Sequence, residues 1–329
     1  MPNTVPEIHS KSEVLYLKNN AKGSLLDIFP AGAISQHCAG KDITEMIDMH
    51  HSGAVTFTDG SHSVQNSGLM LRALMYVKAF DGVVMNMPSD DSTCNKGQMH
   101  EGATSTSLGL KGIPSLSEEL MIHRDIYLSE YADSKLHLLN VSSGGTMQAI
   151  KEAKAKKIKV SASVPLLNLI YDTTVLENFN PNYKVLPPLR EKEDIAALRK
   201  ALKEDVIDLI TSNHTPLEQE LKNLEFSNAD FGIINLQTFY PLLNTHLGKT
   251  LSNIKLVEKL AVNPRQLFNL PISKIEKNEV ANLTVFHPKA TWTFTEKENL
   301  SKSKNSPFFD MEFQGKILAT VNNGKVHLG

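Results

Sequence analysis

Apolar, strand-like runs alternate with helix-periodic segments along most of the 329-residue chain. The runs are mostly continuous, as in a parallel sheet that is buried on both faces, and each intervening helix supplies the crossover that parallel strands require. The predicted strands are Leu25–Ala31, Ala54–Thr58, Val83–Met87, Lys135–Val141, Ile158–Val164 and Val206–Thr211. This order of strands and helices predicts an α/β fold.

The number of strand–helix units constrains the architecture further, because the sequence offers six. A closed TIM-type barrel needs eight such units, and an open six-stranded sheet needs protection at both edges. The pattern therefore leaves two architectures. One is an open, doubly wound sheet, and the other is a barrel without its first two strands.

Helical periodicity fills the segments between the strands, and two further helical stretches follow near 234–248 and 253–262. The predicted helical segments between strands are 42–53, 67–82, 115–132, 144–157 and 191–205. The first of them has Asp42 as its expected N-terminal cap and ends at Gly53.

The pattern changes near residue 266. Residues 280–288 and 316–329 alternate like strands, and the Asn-Asn-Gly within the second segment is a hairpin signal. We predict a main α/β region over 1–265 and a C-terminal β segment over 266–329.

Charge and composition exclude several classes of partner. The net charge of −2 does not favour nucleic acid. No apolar run is long enough for a membrane span, and the first residues lack a signal-peptide pattern. The two cysteines, Cys38 and Cys94, do not form a Cys-x-x-Cys pair, and we interpret them as reduced. We expect a cytoplasmic protein without nucleic-acid or membrane partners.

Polar residues follow several of the predicted strands, where α/β enzymes place their chemistry. Asp59 is a candidate metal ligand or base, and equally a turn residue. His62 is interpreted as a loop residue and His137 as a packed strand residue. Ser142 and Ser143 precede a helix and are interpreted as caps, although such a site can also hold an anion.

Two further candidates lie in loops. Arg190 follows a Pro-Pro turn and is either a structural arginine or a group that grips a carboxylate. In the segment Thr-Ser-Asn-His-Thr-Pro, only His214 can act as a base or a ligand, because the amide of Asn213 cannot take a proton.

Taken together, several motifs resemble dihydroorotases, which are related to allantoinase and hydantoinase in the amidohydrolase superfamily. The motifs are "MPNTVP", "PAGAIS", "GAVTFTDG", "KVLPPLR", "DLITSNHTP", "FGIINLQT", "NPRQLFNL" and "VNNGKV". The resemblance implies an incomplete TIM-type barrel of about six of eight strand–helix units. It also implies a small C-terminal sandwich remnant at Asn282–Gly329. Met1 matches a methionine that is internal in the family, which leaves two interpretations: the start codon lies upstream of Met1, or the family's first two strands and their His-x-His are absent.

The resemblance also identifies departures at the family's chemical positions. Asn140 replaces the family's sixth-strand histidine, and Leu166 and Leu167 replace a His-His pair. Leu186 replaces a substrate-loop asparagine, and Asn213 replaces the base aspartate. Residues 87–90 replace the family's His-Cys-Glu-Asp. The matching residues are Asn3, Arg190 and His214, which the resemblance implies are remnants of substrate binding, and Asp59, a remnant of metal binding.

A hydrolytic zinc needs about three protein ligands and a nearby base. We therefore expect no cofactor and a catalytically inactive, dihydroorotase-like protein of pyrimidine biosynthesis. Its expected role is structural or regulatory, with aspartate carbamoyltransferase or further copies of this chain as partners. One alternative is an active zinc dihydroorotase that interconverts N-carbamoyl-L-aspartate and dihydroorotate. A second alternative is a gene fragment that does not fold alone.

Overall fold

The computed structural model describes residues 1–94 and 96–329. The strands, in chain order, are β1 Ala31–Gly32, β2 Thr56–Phe57, β3 Val83–Asn86, β4 Met99–His100, β5 Gly112–Ile113, β6 Lys135–Leu138, β7 Val160–Pro165, β8 Leu209–Thr211, β9 Leu283–Phe294, β10 Met311–Asn322 and β11 Lys325–Leu328. The α-helices are α1 Lys11–Ala21, α2 Met46–His51, α3 Ser67–Val77, α4 Asp91–Cys94, α5 Ala103–Ser107, α6 Ser115–Ala132, α7 Met147–Ala155, α8 Lys192–Lys203, α9 Gln219–Lys222, α10 Phe239–Leu247, α11 Asn253–Val257 and α12 Asn263–Leu267.

Six parallel strands form the main sheet in the order β1-β2-β3-β6-β7-β8. The order follows the chain without the reversal of a doubly wound sheet. The sheet curls as consecutive staves of a barrel do, and β1 and β8 each pair with a single neighbour in the described sheet. The prediction of an incomplete TIM-type barrel is therefore confirmed, and the doubly wound alternative is wrong.

Helix α3 illustrates how the sequence builds this layer. Asn66 caps it by accepting a hydrogen bond from the Leu69 amide at 2.9 Å. Its buried residues recur along one face that packs against α6, and burial of each large apolar side chain stabilises the fold by about 1.5–3 kcal/mol. The predicted 115–132 helix coincides with α6.

Three details of the prediction were wrong. The first strand covers only Ala31–Gly32, because Pro30 lacks an amide donor and Leu26 is exposed rather than buried. Helix α2 begins after Glu45 without a side-chain cap, so Asp42 does not cap it. Helix α1 was not predicted, because only Val14 in it is buried and its sequence lacks a clear apolar face.

The C-terminal strands form a separate antiparallel sheet in the order β11-β10-β9. Asn322 pairs with Lys325 across a two-residue turn, and the turn residues Asn323 and Gly324 have φ of 51° and 70°. This is the predicted hairpin. The boundary near residue 266 stays a prediction, and that residue lies in α12. Among the described residues, no helix is long and apolar enough to cross a lipid bilayer.

Candidate functional site

Two asparagine side chains meet where β6 and β8 end. Asn140 Nδ2 donates to Asn213 Oδ1 at 3.1 Å, and Thr211 Oγ1 donates to Asn140 Oδ1 at 2.6 Å. Asn213 Nδ2 donates in turn to the Leu186 carbonyl at 3.0 Å. Both asparagines are in the left-handed region, with φ of 58° and 48°, which asparagine tolerates better than most residues. We call this hydrogen-bonded set of Asn140, Thr211, Leu186 and Asn213 the amide chain.

The amide chain contains no group that ionises near neutral pH. Each of its two carboxamides donates a hydrogen bond to one protein group and accepts one from another. The nitrogen and the oxygen of both side-chain amides therefore have partners within the protein. The family resemblance implied a histidine at Asn140, a base aspartate at Asn213 and a substrate-loop asparagine at Leu186. In this protein, hydrogen bonds between neutral groups join the three positions.

The end of β7 is apolar. Leu166 and Leu167 follow Pro165 in a short 3₁₀ turn and are 0% and 2% exposed. Both belong to the main hydrophobic core. A leucine side chain has no lone pair to offer a cation, so these two positions contribute packing and no ligand.

Asp59 lies at the end of β2 and is buried. Its Oδ1 accepts hydrogen bonds from the Ile34 and Ser35 amides, both at 2.9 Å, and its Oδ2 accepts from the Ser35 hydroxyl. Burial raises the pKa of the Asp59 carboxyl, while these hydrogen bonds act in the opposite direction. Both carboxylate oxygens thus hold the loop that follows β1.

Asn3 is brought to the same place. Its Nδ2 donates to the Asp59 carbonyl at 3.1 Å, and its Oδ1 accepts from the Ser61 amide at 3.1 Å. Gly60 lies directly against the side-chain carboxamide of Asn3, and a Cβ at residue 60 would fall 1.6 Å from Asn3 Oδ1. The structure therefore joins Asn3 and Asp59 in one contact that fixes the N-terminal segment to the β2 loop.

Arg190 lies in the interior, apart from the amide chain's hydrogen bonds. Its side chain is 2% exposed and its Nη2 donates to Glu118 Oε2 at 3.1 Å. Its Nε donates to Ser142 Oγ at 2.9 Å, and its Nη1 lies 3.0 Å from His100 Nδ1. The guanidinium therefore does grip a carboxylate, but the carboxylate is the protein's own.

Glu118 is a residue that the sequence did not single out. Its Oε1 accepts hydrogen bonds from the Ser142 and Ser143 amides at 2.8 Å each, and its side chain is 2% exposed. This glutamate thus occupies the amides at which an anion site was the alternative interpretation, while Ser143 caps the following turn as predicted, its Oγ accepting from the Gly145 amide at 3.3 Å. An acidic residue within an amphipathic helix usually faces solvent, and the sequence carries no signal that distinguishes Glu118 from its neighbour Glu119.

Two histidines near the strand ends, His214 and His137, are held by hydrogen bonds, and a third, His62, is exposed. His214 Nδ1 accepts from the Asn235 amide at 3.0 Å, which places its proton on Nε2, and burial lowers its pKa. His137 is packed as predicted, with its ring nitrogens 2.8 and 3.0 Å from Ser161 Oγ and Ser163 Oγ. His62 is exposed.

The candidate residues thus separate into the amide chain, the Asn3–Asp59 contact, the buried Arg190–Glu118 pair, and His214, which binds the Asn235 amide. Within residues 1–94 and 96–329, the single cluster of three potential metal-ligating side chains is Glu7, His9 and His37, none of which was predicted. A surface cavity of about 510 Å³ lies between the segment that precedes β8 and the helical segment 255–267, where Lys259 is paired with Asp205 at 2.7 Å. Hydrolytic zinc therefore does not fit the strand-end residues.

A family model described as "Dihydro-orotase-like" matches residues 1–145. The dihydroorotase of Geobacter metallireducens is 39% identical over 329 residues, which cover 99% of this chain and 77% of that protein. The dihydroorotase of Carboxydothermus hydrogenoformans is 37% identical over 329 residues, which cover 99% of this chain and 76% of that protein. The sequence similarity therefore extends through both the barrel strands and the C-terminal sheet.

Solved structures share the architecture. The L-hydantoinase (dihydropyrimidinase) from Arthrobacter aurescens has a TM-score of 0.86 at 23% identity, over 99% of this chain and 75% of that one. A dihydropyrimidinase from Brevibacillus agri has a TM-score of 0.80 at 19% identity, over 96% and 73%. At these identities the likeness concerns the fold, and it agrees with the incomplete TIM-type barrel and small C-terminal sheet described above.

Proposed function

The chain belongs to the dihydroorotase family, and we propose that it is a catalytically inactive member with a structural or regulatory role in pyrimidine biosynthesis. The observation that carries this proposal is the hydrogen bond of 3.1 Å between Asn140 Nδ2 and Asn213 Oδ1. Two carboxamides that bind each other cannot supply a metal ligand and a general base.

The chemistry of ring opening explains why this matters. A water molecule attacks a cyclic amide efficiently only after a base has taken its proton, and a carboxamide has no basic lone pair at neutral pH. A metal lowers the pKa of such a water, but it needs about three histidine or carboxylate ligands. Leu166 and Leu167 offer none, and both oxygens of Asp59 are committed to backbone and hydroxyl donors.

The residues matched to substrate binding support the same proposal. Arg190 is buried against Glu118 and cannot reach a ligand without breaking an interior ion pair. His214 accepts a backbone hydrogen bond from Asn235. These contacts give both side chains a stabilising function that persists without catalysis.

The second candidate function is that of an active zinc dihydroorotase, and it is favoured by the names of the relatives, which are dihydroorotases at 35–39% identity. A direct assay of dihydroorotate turnover distinguishes the two candidate functions. We expect the purified chain not to convert dihydroorotate to N-carbamoyl-L-aspartate, with or without added zinc. Turnover that a chelator abolishes and zinc restores would establish the hydrolase instead.

A structural role needs a partner, and we propose aspartate carbamoyltransferase. Helix α6 supports a binding role because it exposes an apolar stripe of Leu116, Leu120, Tyr127 and Tyr131, at 51%, 46%, 69% and 71% exposure. These residues recur at helical spacing on one side of α6, and contiguous exposed apolar surface is typical of protein-binding sites.

The partner proposal is tested by analytical size exclusion of the chain mixed with aspartate carbamoyltransferase from the same organism. We expect co-elution that a Leu120→Ser/Tyr127→Ser variant abolishes. The matched control is Leu300→Ser, because Leu300 is 85% exposed and lies far along the chain from α6. Separate elution of the unmodified proteins would overturn this partner assignment.

A further inference from the structure

Two histidines and a glutamate meet beside the loop that follows β1. One ligand atom from each of Glu7, His9 and His37 lies within 4.8 Å of the others. His37 Nδ1 is 3.4 Å from Glu7 Oε2, and the rings of His9 and His37 have centroids 4.3 Å apart at an angle of 53°. We call these three residues the His-Glu cluster.

The spacing of the His-Glu cluster suits a tetrahedral cation. Zinc–nitrogen and zinc–oxygen bonds of about 2.0–2.2 Å at tetrahedral angles place neighbouring ligand atoms about 3.3–3.6 Å apart. The Glu7–His37 pair already has this separation, at 3.4 Å. The largest separation in the cluster is within 4.8 Å, so small side-chain rotations bring the remaining atoms to bonding distance.

The fold places Glu7 and His9 together. The His9 amide donates to the Glu7 carbonyl at 3.0 Å, a tight turn that keeps the two side chains close. Ile8 between them is buried, and its carbonyl accepts from the Ala33 amide at 2.8 Å. Ser10 then caps helix α1. The segment is thereby fixed at both ends beside β1.

The fold also presents His37. His37 and Cys38 are consecutive non-glycine residues with φ of 54° and 52°, a conformation that costs free energy and clusters at functional sites. Asp59 holds this loop through the Ser35 amide and hydroxyl, and the Gly40 amide donates to Ser35 Oγ at 2.7 Å. Asp59, which was predicted as a metal ligand, thus positions the loop that carries His37.

One ring nitrogen of the cluster lacks a partner. His9 Nδ1 is among the few buried side-chain atoms of the described residues without a hydrogen-bond partner, and a buried polar atom in that state is costly.

We infer that Glu7, His9 and His37 form a binding site for a zinc-type divalent cation, separate from the strand-end residues. Two imidazoles and a carboxylate are a ligand set that zinc accepts, with a fourth position left for water. The bound ion would tie the N-terminal segment to the β1 loop. The site does not depend on the proposed function, because it uses none of the strand-end groups. It revises the expectation that no zinc binds at all.

The test is isothermal titration of the metal-free chain with zinc chloride. We expect about one ion per chain with a dissociation constant of about 10 μM or tighter, weakened about tenfold or more in His37→Ala, His9→Ala and Glu7→Gln. His62→Ala is the matched control, since His62 is exposed and outside the cluster. Unchanged affinity in the three variants, or equal weakening in the control, would overturn the site.

A measurement on the unmodified chain covers the case in which a variant fails to fold. Diethylpyrocarbonate labels accessible histidines, and mass spectrometry locates the label. Zinc should protect His37 from labelling at least about fivefold while His62 reacts as before. Equal labelling of His37 with and without zinc would contradict the inference. Zinc binding without dihydroorotate turnover supports both proposals, whereas turnover that survives His37→Ala refutes only the proposed inactivity.

Discussion

Glu118→Gln is predicted to destabilise the chain strongly. The Glu118 carboxylate binds the Arg190 guanidinium at 3.1 Å and the Ser142 and Ser143 amides at 2.8 Å, with both charged side chains 2% exposed. Glutamine keeps the shape but leaves Arg190 as an unpaired buried charge. Removal of one partner of such a pair costs about 3–5 kcal/mol, a large part of the roughly 5–15 kcal/mol that stabilises a typical domain.

Urea denaturation followed by circular dichroism measures this loss, which should also lower Tm by roughly 4–7 °C for a chain of 329 residues. The matched control is Glu204→Gln. Glu204 binds Lys151 at 2.9 Å, but the two side chains are 39% and 57% exposed, so we expect a change of about 0–1 kcal/mol. Equal effects of the two substitutions would refute the structural role of Arg190. The double variant Glu118→Gln/Arg190→Met should cost less than the sum of its parts, because it leaves no unpaired charge.

Three further predictions follow from the strand ends, the core and the open edge. Asn213→Asp should restore no dihydroorotate turnover and should lower stability in urea, because its carboxylate would face the Leu186 carbonyl that Asn213 now donates to. Burial, with a smaller effect of the Lys154 charge, lowers the pKa of His137 to about 3. Since an unfolded histidine titrates near 6.5, the neutral ring's contribution is complete above about pH 6.5 and is lost as the pH falls toward 3. Urea curves should show about 2 kcal/mol lost by pH 5, and His137→Gln should remove that part of the slope. Finally, Leu26 and Phe29 are exposed beside β1, so sedimentation velocity should show self-association that a Leu26→Ser/Phe29→Ser variant reduces; a monomeric unmodified chain would contradict this.

Local sequence signals predicted most of the elements. Helix α6 was predicted to the residue from its amphipathic stretch, and in the structure Pro114 precedes it and Asp133, in the left-handed region, ends it. The Asn323–Gly324 turn was equally clear. The first strand was not, because the apolar run before Pro30 resembles a strand although its side chains have no partner layer to pack against.

The site was predictable only in part. The resemblance identified Asn140 and Asn213 as departures, but their direct hydrogen bond depends on two strand ends 73 residues apart. The His-Glu cluster was missed for the same reason, since 30 residues separate Glu7 from His37. Such contacts arise from tertiary packing and leave no periodic signal in the sequence.

The most direct test of the account is dihydroorotate turnover by the purified chain, measured together with its zinc content. Parallel samples are treated with a chelator, reloaded with zinc, or carry His37→Ala. The account predicts no turnover above the buffer blank in any sample, with bound zinc that depends on His37. About one zinc per chain that remains in His37→Ala, together with turnover that the chelator abolishes and zinc restores, would contradict it.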